Sequence, residues 1–330
     1  MKYLFFVLFF FIPSFASAHV GYVLTPDQFS SQSGSDPLFI LKTLSSPLFI
    51  IITTVALLLV VGLVLFCNKN AKFKIWKSRI YKHLDSYTEF LPWAVRLTLG
   101  IALIGAGTMG ALISPIQPVG GFIPTLEILL GFFFLLGFLL VPTTITTIIL
   151  FIIGITNNFY FFGNLDFLAL ALAYLALQNA RPGLDDILSL KFLHNIRIPR
   201  KFFSLILRLG IGGAMTFLAL YEKLLNPHLS ELVVNQYSMT NIIPVSPAMW
   251  VVGAGLVELA VGLALLFGFY TRLVSVIAFL VLSLSFFYFN EAVYSHVTLF
   301  GLLSILFIQG GGIWSIDAWM QKRSNFVVQR

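Results

Sequence analysis

The sequence has 330 residues, of which 58% are hydrophobic and only 10% are charged. Soluble domains carry about 25% charged residues, so this composition excludes a soluble fold and predicts an integral membrane protein. The net charge of +7 does not indicate nucleic-acid binding, because the basic residues lie in loops between long apolar segments. The single cysteine, Cys67, excludes an intramolecular disulfide, a CxxC redox pair and a multi-thiolate metal site.

Residues 1–18 have the features of a secretory signal peptide: a basic residue, a short apolar core and a final Ala-Ser-Ala. We expect cleavage there, although an uncleaved helix is the alternative. The mature chain would then begin at His19, whose free amine and imidazole could bind copper. Many residue types follow cleavage sites, so His19 alone is weak support for such a site. The Ser-rich segment 19–47 is predicted to be periplasmic.

Residues 48–67 form an uncharged apolar segment of spanning length, and a basic loop, residues 68–92, follows it. The positive-inside rule makes this loop cytoplasmic, so the anchor helix runs from outside to inside. Eight further spans are predicted at residues 93–113, 122–141, 143–162, 165–180, 203–223, 248–269, 273–290 and 294–312. We therefore expect a multi-pass protein of a bacterial inner membrane, with its mature N-terminus outside and its tail, residues 321–330, in the cytoplasm.

The two halves of the chain after the anchor share a pattern that predicts an internal duplication. Glu127, Gly131 and Gly137 recur as Glu258, Gly262 and Gly268 with a constant shift of 131 residues, and Arg96 and Asp185 correspond to Arg208 and Asp317. Each copy has four spans, so both face the same way and form two parallel four-helix modules, residues 93–190 and 203–320, joined by a cytoplasmic linker, residues 191–202. We interpret the glycines as helix-packing positions and the two aspartates as helix caps. The predicted fold is an all-α polytopic membrane protein with about nine spans.

The second module carries ionisable residues that the first module lacks. Glu222, Lys223, Glu291 and His296 stand where the first module has Gly110, Ala111, Phe159 and Asn164. Glu258 precedes Arg272 by 14 residues, which places it about 21 Å from the inner surface, and Glu222 lies at about the same height. We expect all five residues to converge in the outer half of one bundle.

Ionisable side chains at this depth are costly unless they are paired or hydrated, which makes them candidates for function. Glu258, Glu222 and His296 are the candidate catalytic residues, because a carboxyl near a histidine in an apolar bundle suits proton transfer. Lys223 and Glu291 are candidate quinone contacts, although Lys223 could snorkel to the surface and Glu291 could be a hydrated helix end. No metal site is predicted, since one histidine with carboxylates is a weak signature. Glu127, at the same depth without such partners, is predicted to be structural.

The second module resembles the DoxX family. The resemblance is carried by Arg208-Leu209-Gly210, Glu222-Lys223-Leu224, Glu258 with Gly262 and Gly268, Thr271-Arg272-Leu273, and Gly310-Gly311-Gly312 before Ser315-Ile316-Asp317. The first module is similar to a degenerate copy that lacks the Glu-Lys pair. The DoxX family and its DoxD relatives include membrane subunits of thiosulfate:quinone oxidoreductase. The resemblance therefore implies a quinone-interacting or redox-associated subunit, at most one part of an enzyme, without a covalently bound cofactor.

The partners that this resemblance implies are the lipid bilayer, a quinone and a redox protein that donates electrons; nucleic acid is not expected. Two other functions stay open. A proton-coupled transporter or permease would fit the parallel duplication and the intramembrane carboxyls. A membrane scaffold for a partner protein would need none of the polar residues.

Overall fold

The computed structural model describes Val20, Leu24 and Gln28 and residues 34–115, 117–177, 183–190, 196–289 and 293–328. The predicted signal peptide, His19 and Glu291 lie outside the described residues. Within the described ranges the chain is helical, with an isolated bridge between Ala111 and Pro118 and no strand.

The α-helices are α1 (Pro37–Leu44), α2 (Pro47–Lys69), α3 (Ala71–Asp85), α4 (Leu91–Thr108), α5 (Ile123–Leu136), α6 (Leu140–Asn157), α7 (Leu165–Leu177), α8 (Leu184–Ile187), α9 (Phe203–Leu218), α10 (Pro227–Gln236), α11 (Pro247–Phe267), α12 (Thr271–Phe289), α13 (Val293–Gln309) and α14 (Ile316–Val328). Short 3₁₀ helices lie at Thr88–Phe90, Phe159–Asn164, Arg200–Phe202 and Met239–Asn241, and α9 continues as a π-helix over Ala219–Leu225.

Seven helical segments of the described chain are long and apolar enough to cross a membrane, and α5 and α13 are shorter apolar helices. Each predicted span corresponds to one of them, so the predicted all-helical polytopic fold is confirmed. The predicted span 122–141 ends early, at Leu136, because Gly137 takes a left-handed conformation with φ 71° that terminates α5.

The chain forms two compact units. The first unit comprises residues 1–83, 218–260 and 281–289. Its described part has an apolar core of Val20, Leu24, Leu229, Val233, Val234, Met239, Trp250, Val251 and Phe289. The Trp250 indole N–H donates to the Ile243 carbonyl at 3.1 Å, so this large side chain is buried with its polar atom satisfied.

The second unit comprises residues 84–217, 261–280 and 290–330. In it, helices touch directly through glycines. A Cβ atom at Gly100 on α4 would lie 2.9 Å from the Gly131 carbonyl on α5, and one at Gly131 would lie 2.7 Å from the Gly100 carbonyl. Gly212 on α9 and Gly262 on α11 approach in the same way, at 2.8 and 3.2 Å. The predicted packing role of Gly131 and Gly262 is confirmed, since any side chain there would separate the helices.

Candidate functional site

Glu222 and Lys223 lie in the π-helical segment that continues α9. This segment ends because Asn226 closes it, with its backbone N–H and its side-chain amide both donating to the Tyr221 carbonyl. Pro227 then begins α10 at a position where its missing N–H costs nothing. π-helical turns are rare and are frequent at functional sites. Here the turn directs two neighbouring charged side chains into the protein interior.

Lys223 connects two carboxylates. Its Nζ lies 2.6 Å from Oε2 of Glu258, which comes from α11, and 3.4 Å from Oε2 of Glu222. Glu222 and Lys223 are 0% and 1% exposed, whereas Glu258 is 16% exposed. Gly255, one turn before Glu258, makes room for the lysine, because a Cβ atom there would lie 2.9 Å from Lys223 Cβ. The snorkelling interpretation of Lys223 is therefore wrong: its ammonium turns inward to the carboxylates.

Two further hydrogen bonds hold Glu222, one at its carboxylate and one at its backbone carbonyl. The Val20 N–H donates to Glu222 Oε1 at 3.1 Å, and the Ser230 hydroxyl on α10 donates to the Glu222 carbonyl at 3.0 Å. Sequence analysis missed both residues. Val20 lies 202 positions before Glu222, and nothing in a local pattern marks a backbone amide as a ligand of a distant carboxylate.

A second polar cluster, which sequence analysis also missed, joins α1 to α10. His228 has its Nδ1 3.0 Å from Glu231 Oε2 and its Nε2 3.2 Å from Asp36 Oδ2. Asp36 caps α1 by accepting the Phe39 N–H at 3.0 Å, and the Phe39 ring meets the imidazole edge-on. The spacing of Glu231, one helical turn after His228, is visible in the sequence, but the pairing with Asp36 is not.

The electrostatics of this cluster favour a charged histidine. The hydrogen bond that His228 donates to Glu231 raises the pKa of His228; burial opposes this increase, and Asp36 adds to it. The hydrogen bond from the Phe39 N–H is the largest effect on the pKa of Asp36, and it lowers that pKa. Burial opposes the decrease and His228 adds to it, so the pKa of Asp36 lies below its ordinary value. His228 therefore bridges the segment before α1 to α10, and it donates to both carboxylates when it is protonated.

The other two predicted site residues are His296 and Glu291. His296 lies on α13 in the second unit, 1% exposed, with its Nδ1 2.8 Å from the Ser295 hydroxyl. Glu291 lies outside the described residues. The first unit thus brings together Glu222, Lys223 and Glu258 of the five residues that were expected to converge.

Glu127, the counterpart of Glu258 in the first module, has a different environment. It is fully buried, and its Oε1 accepts the Ile113 N–H at 2.7 Å. Ala111 stands at the position that corresponds to Lys223. A backbone amide therefore holds the carboxyl of the first module, and a lysine holds that of the second, which agrees with a structural role for Glu127.

Buried arginines at equivalent positions of the predicted repeat bind backbone carbonyls at a helix C-terminus, and Arg208 also binds carbonyls of the turn before α14. Arg96 donates to the carbonyls of Phe134 and Leu135 at 2.9 and 3.1 Å. Arg208 donates to the carbonyls of Leu266, Ile313 and Trp314 at 3.0, 2.9 and 3.2 Å. A cation at a helix C-terminus satisfies carbonyls that the helix itself leaves without partners.

Asp185 and Asp317, which correspond in the predicted repeat, bind the N-terminal ends of helices. Asp185 accepts the N–H groups of Leu139 and Leu140 at 2.7 and 2.9 Å, and so caps α6. Asp317 accepts those of Tyr270 and Thr271 at 2.8 and 2.9 Å, and so caps α12. Their predicted role as helix caps is confirmed.

The apolar spans and the charged cluster define the chain as a multi-pass, all-helical integral membrane protein. Among the described side chains, no group of three or more His, Cys, Asp or Glu residues is arranged to hold a metal ion. Residues 203–291 match the DoxX family model, so the protein is a membrane protein with a DoxX domain, and Glu222, Lys223 and Glu258 lie inside the matched range. No curated protein and no solved structure matches the chain.

Proposed function

We propose that the protein is a quinone-interacting, redox-associated membrane subunit, and that Glu222, Lys223 and Glu258 form its site of proton exchange. The observation that supports this most is the lysine between two carboxylates, buried in membrane-spanning helices of the DoxX domain. Burying charged side chains in a membrane costs free energy even when they are paired, so the presence of this cluster favours a functional role.

The three side chains have distinct parts in this proposal. Glu222 is fixed by Val20 and Lys223 and orients the ammonium. Lys223 can donate a hydrogen bond to a quinone carbonyl oxygen. Glu258 is the most exposed of the three, so it is the group that gives up and regains protons. Reduction of a quinone to a quinol takes up two electrons and two protons; a partner redox protein supplies the electrons, and the protons pass through Glu258.

The proposal also includes the membrane in which the protein lies and its orientation there. The basic residues of α3 lie directly after the first membrane span, which favours a cytoplasmic α3 and an outer N-terminal segment by the positive-inside rule. In that orientation, Glu222, Lys223 and Glu258 lie towards the outer face of a bacterial inner membrane.

The experiment compares quinone content in protein purified in mild detergent. Mass spectrometry of the organic extract should find quinone near one per chain in the wild type and much less after Glu258→Gln. Glu127→Gln is the matched control, since it removes a buried carboxyl at the equivalent position and should keep the wild-type quinone content. Quinone at the level of bulk lipid in the wild type, or equal loss in both variants, overturns the proposal.

Proton-coupled transport is the second candidate, because a buried ammonium between two carboxylates also suits coupled binding of a proton and a solute. Proteoliposomes with an imposed pH gradient distinguish the two. Gradient-driven solute flux that Glu258→Gln abolishes favours transport. A scaffold role predicts that Glu258→Gln changes neither measurement, and that deletion of residues 19–47 releases a partner protein.

A further inference from the structure

The helix α3 differs from an ordinary cytoplasmic loop. It begins one residue after the membrane span α2, with Asn70 between them in an extended conformation and its side chain accepting the Phe73 N–H at 3.2 Å. A single residue extends at most about 3.6 Å, so α3 starts at the level where α2 leaves the bilayer. Its first turn therefore lies among the lipid headgroups.

The charge of α3 has one sign over most of its length. The helix carries Lys72, Lys74, Lys77, Arg79 and Lys82 after Lys69 of α2, and the first acidic residue is Asp85 at its end. Lys72, Arg79 and Lys82 are exposed. A row of cations at headgroup depth attracts anionic phospholipids more strongly than zwitterionic ones, because a zwitterionic headgroup has no net charge.

The exposed apolar side chains of α3 distinguish it from a basic segment that serves only to orient the protein in the membrane. Ile75 is 56% and Trp76 is 58% exposed, and Phe73 lies against Trp76 with ring centroids 5.6 Å apart. Orientation of a membrane protein requires positive charge only, and a helix surrounded by water would not expose tryptophan and isoleucine together. Interfacial helices combine cations for headgroups with aromatic side chains that enter the acyl boundary.

We propose that α3 is an interfacial helix that binds anionic phospholipid headgroups and inserts Trp76 and Ile75 into the adjoining acyl region. The proposal is independent of the quinone site. Its occupant is the anionic lipid of the leaflet next to the end of α2, for which phosphatidylglycerol serves as the probe.

The test is native mass spectrometry of the full-length protein in non-ionic detergent, titrated with phosphatidylglycerol or phosphatidylcholine. The test variant carries Lys72→Gln, Lys77→Gln, Arg79→Gln and Lys82→Gln. The control variant removes equal charge from the other segments on the same predicted side, with Arg197→Gln, Arg200→Gln, Lys201→Gln and Lys322→Gln. A third variant, Lys72→Arg, Lys77→Arg and Lys82→Arg, keeps the charge of α3.

The wild type should bind phosphatidylglycerol more tightly than phosphatidylcholine. The α3 variant should weaken phosphatidylglycerol binding by roughly fivefold for each cation removed, while the control and arginine variants keep it. Equal weakening in the α3 and control variants shows a general charge effect and overturns the proposal. Unchanged binding in the α3 variant also overturns it, and would direct attention to an acidic protein partner.

A second measurement follows the fluorescence of Trp76, and its variant, Trp76→Phe, leaves the charge of α3 unchanged. Brominated phosphatidylglycerol should quench the tryptophan fluorescence of the protein, and Trp76→Phe should remove a distinct part of that quenching. Equal fractional quenching with and without Trp76 shows that this side chain lies outside the acyl region, and contradicts the insertion.

Discussion

Lys223 and Glu258 form an ion pair of 2.6 Å between helices that lie in one DoxX domain, and the lysine is 1% exposed. The same ammonium lies 3.4 Å from Glu222. Removing one partner of a buried ion pair leaves a charge without compensation, which costs more than the pair itself contributes. The position of Lys223 between both carboxylates therefore determines how the three residues respond to substitution.

Lys223→Met should lower the free energy of unfolding by about 3–5 kcal/mol, because it leaves Glu222 and Glu258 buried close together without their ammonium. Glu258→Gln should cost less, since Lys223 keeps Glu222 as a partner and Glu258 is the more exposed carboxylate. Denaturant unfolding in detergent micelles, followed by the loss of helical signal, measures both changes.

The double variant Lys223→Met/Glu258→Gln distinguishes pairing from lost packing. If the ion pair matters, the double variant should be more stable than the sum of the single changes predicts. Lys42→Met, at an exposed lysine of α1, should have little effect and serves as the control. Strict additivity of the two single substitutions would contradict a direct interaction.

The sequence was sufficient for the spans and for part of the charged site, for reasons that differ between residues. Apolar length alone identifies the spans, and counting residues from Arg272 and Arg208 places Glu258 and Glu222 at one height. Height says nothing about direction around a helix, so the inward turn of Lys223, which depends on the π-helical segment and on Gly255, was not predictable. Contacts such as Val20 with Glu222 and Asp36 with His228 join distant parts of the chain and leave no local pattern.

The bridge from His228 to Asp36 and Glu231 should make the order of α1 depend on pH. The pKa of His228 is raised from 6.5, so its contribution is complete at low pH and is lost as pH rises through the raised pKa. The pKa of Asp36 is lowered from 3.8, so its contribution is lost as pH falls through that lowered pKa. Hydrogen exchange of the α1 amides, corrected for intrinsic rates, should show greatest protection between these limits.

His228→Gln should remove the loss of α1 protection at high pH and leave a lower protection that still falls at low pH, where Asp36 becomes protonated. Asp36→Asn should lower protection at neutral pH as well, because it weakens both the bridge and the cap of α1. His83→Gln changes a histidine on α3 and should reproduce the wild-type profile. A wild-type profile that does not change between pH 6 and 9 would show that the bridge does not order α1.

The two cap aspartates should respond alike to substitution. Asp185→Asn and Asp317→Asn each replace a carboxylate that accepts two backbone N–H groups with an amide that accepts fewer. Each change should cost about 1–2 kcal/mol of unfolding free energy. Glu89→Gln, at an exposed carboxylate, is the control. A much larger effect at one aspartate would argue against equivalent roles for the two modules.

The glycine contacts give the sharpest comparison between helix packing and helix propensity. Gly262→Ala on α11 places a methyl group within 2.8 Å of the Thr216 N and Oγ1 atoms, so α9 and α11 must separate, at a cost of about 1–3 kcal/mol. Gly131→Ala should have a similar effect, because its methyl group would lie 2.7 Å from the Gly100 carbonyl. Gly253→Ala lies on the same helix as Gly262, but its nearest neighbour would be 3.9 Å away. Alanine is the better helix former, so thermal unfolding should show Gly253→Ala at or above wild-type stability and both contact variants below it. Equal behaviour of Gly253→Ala and Gly262→Ala would mean that the backbones of α9 and α11 do not touch.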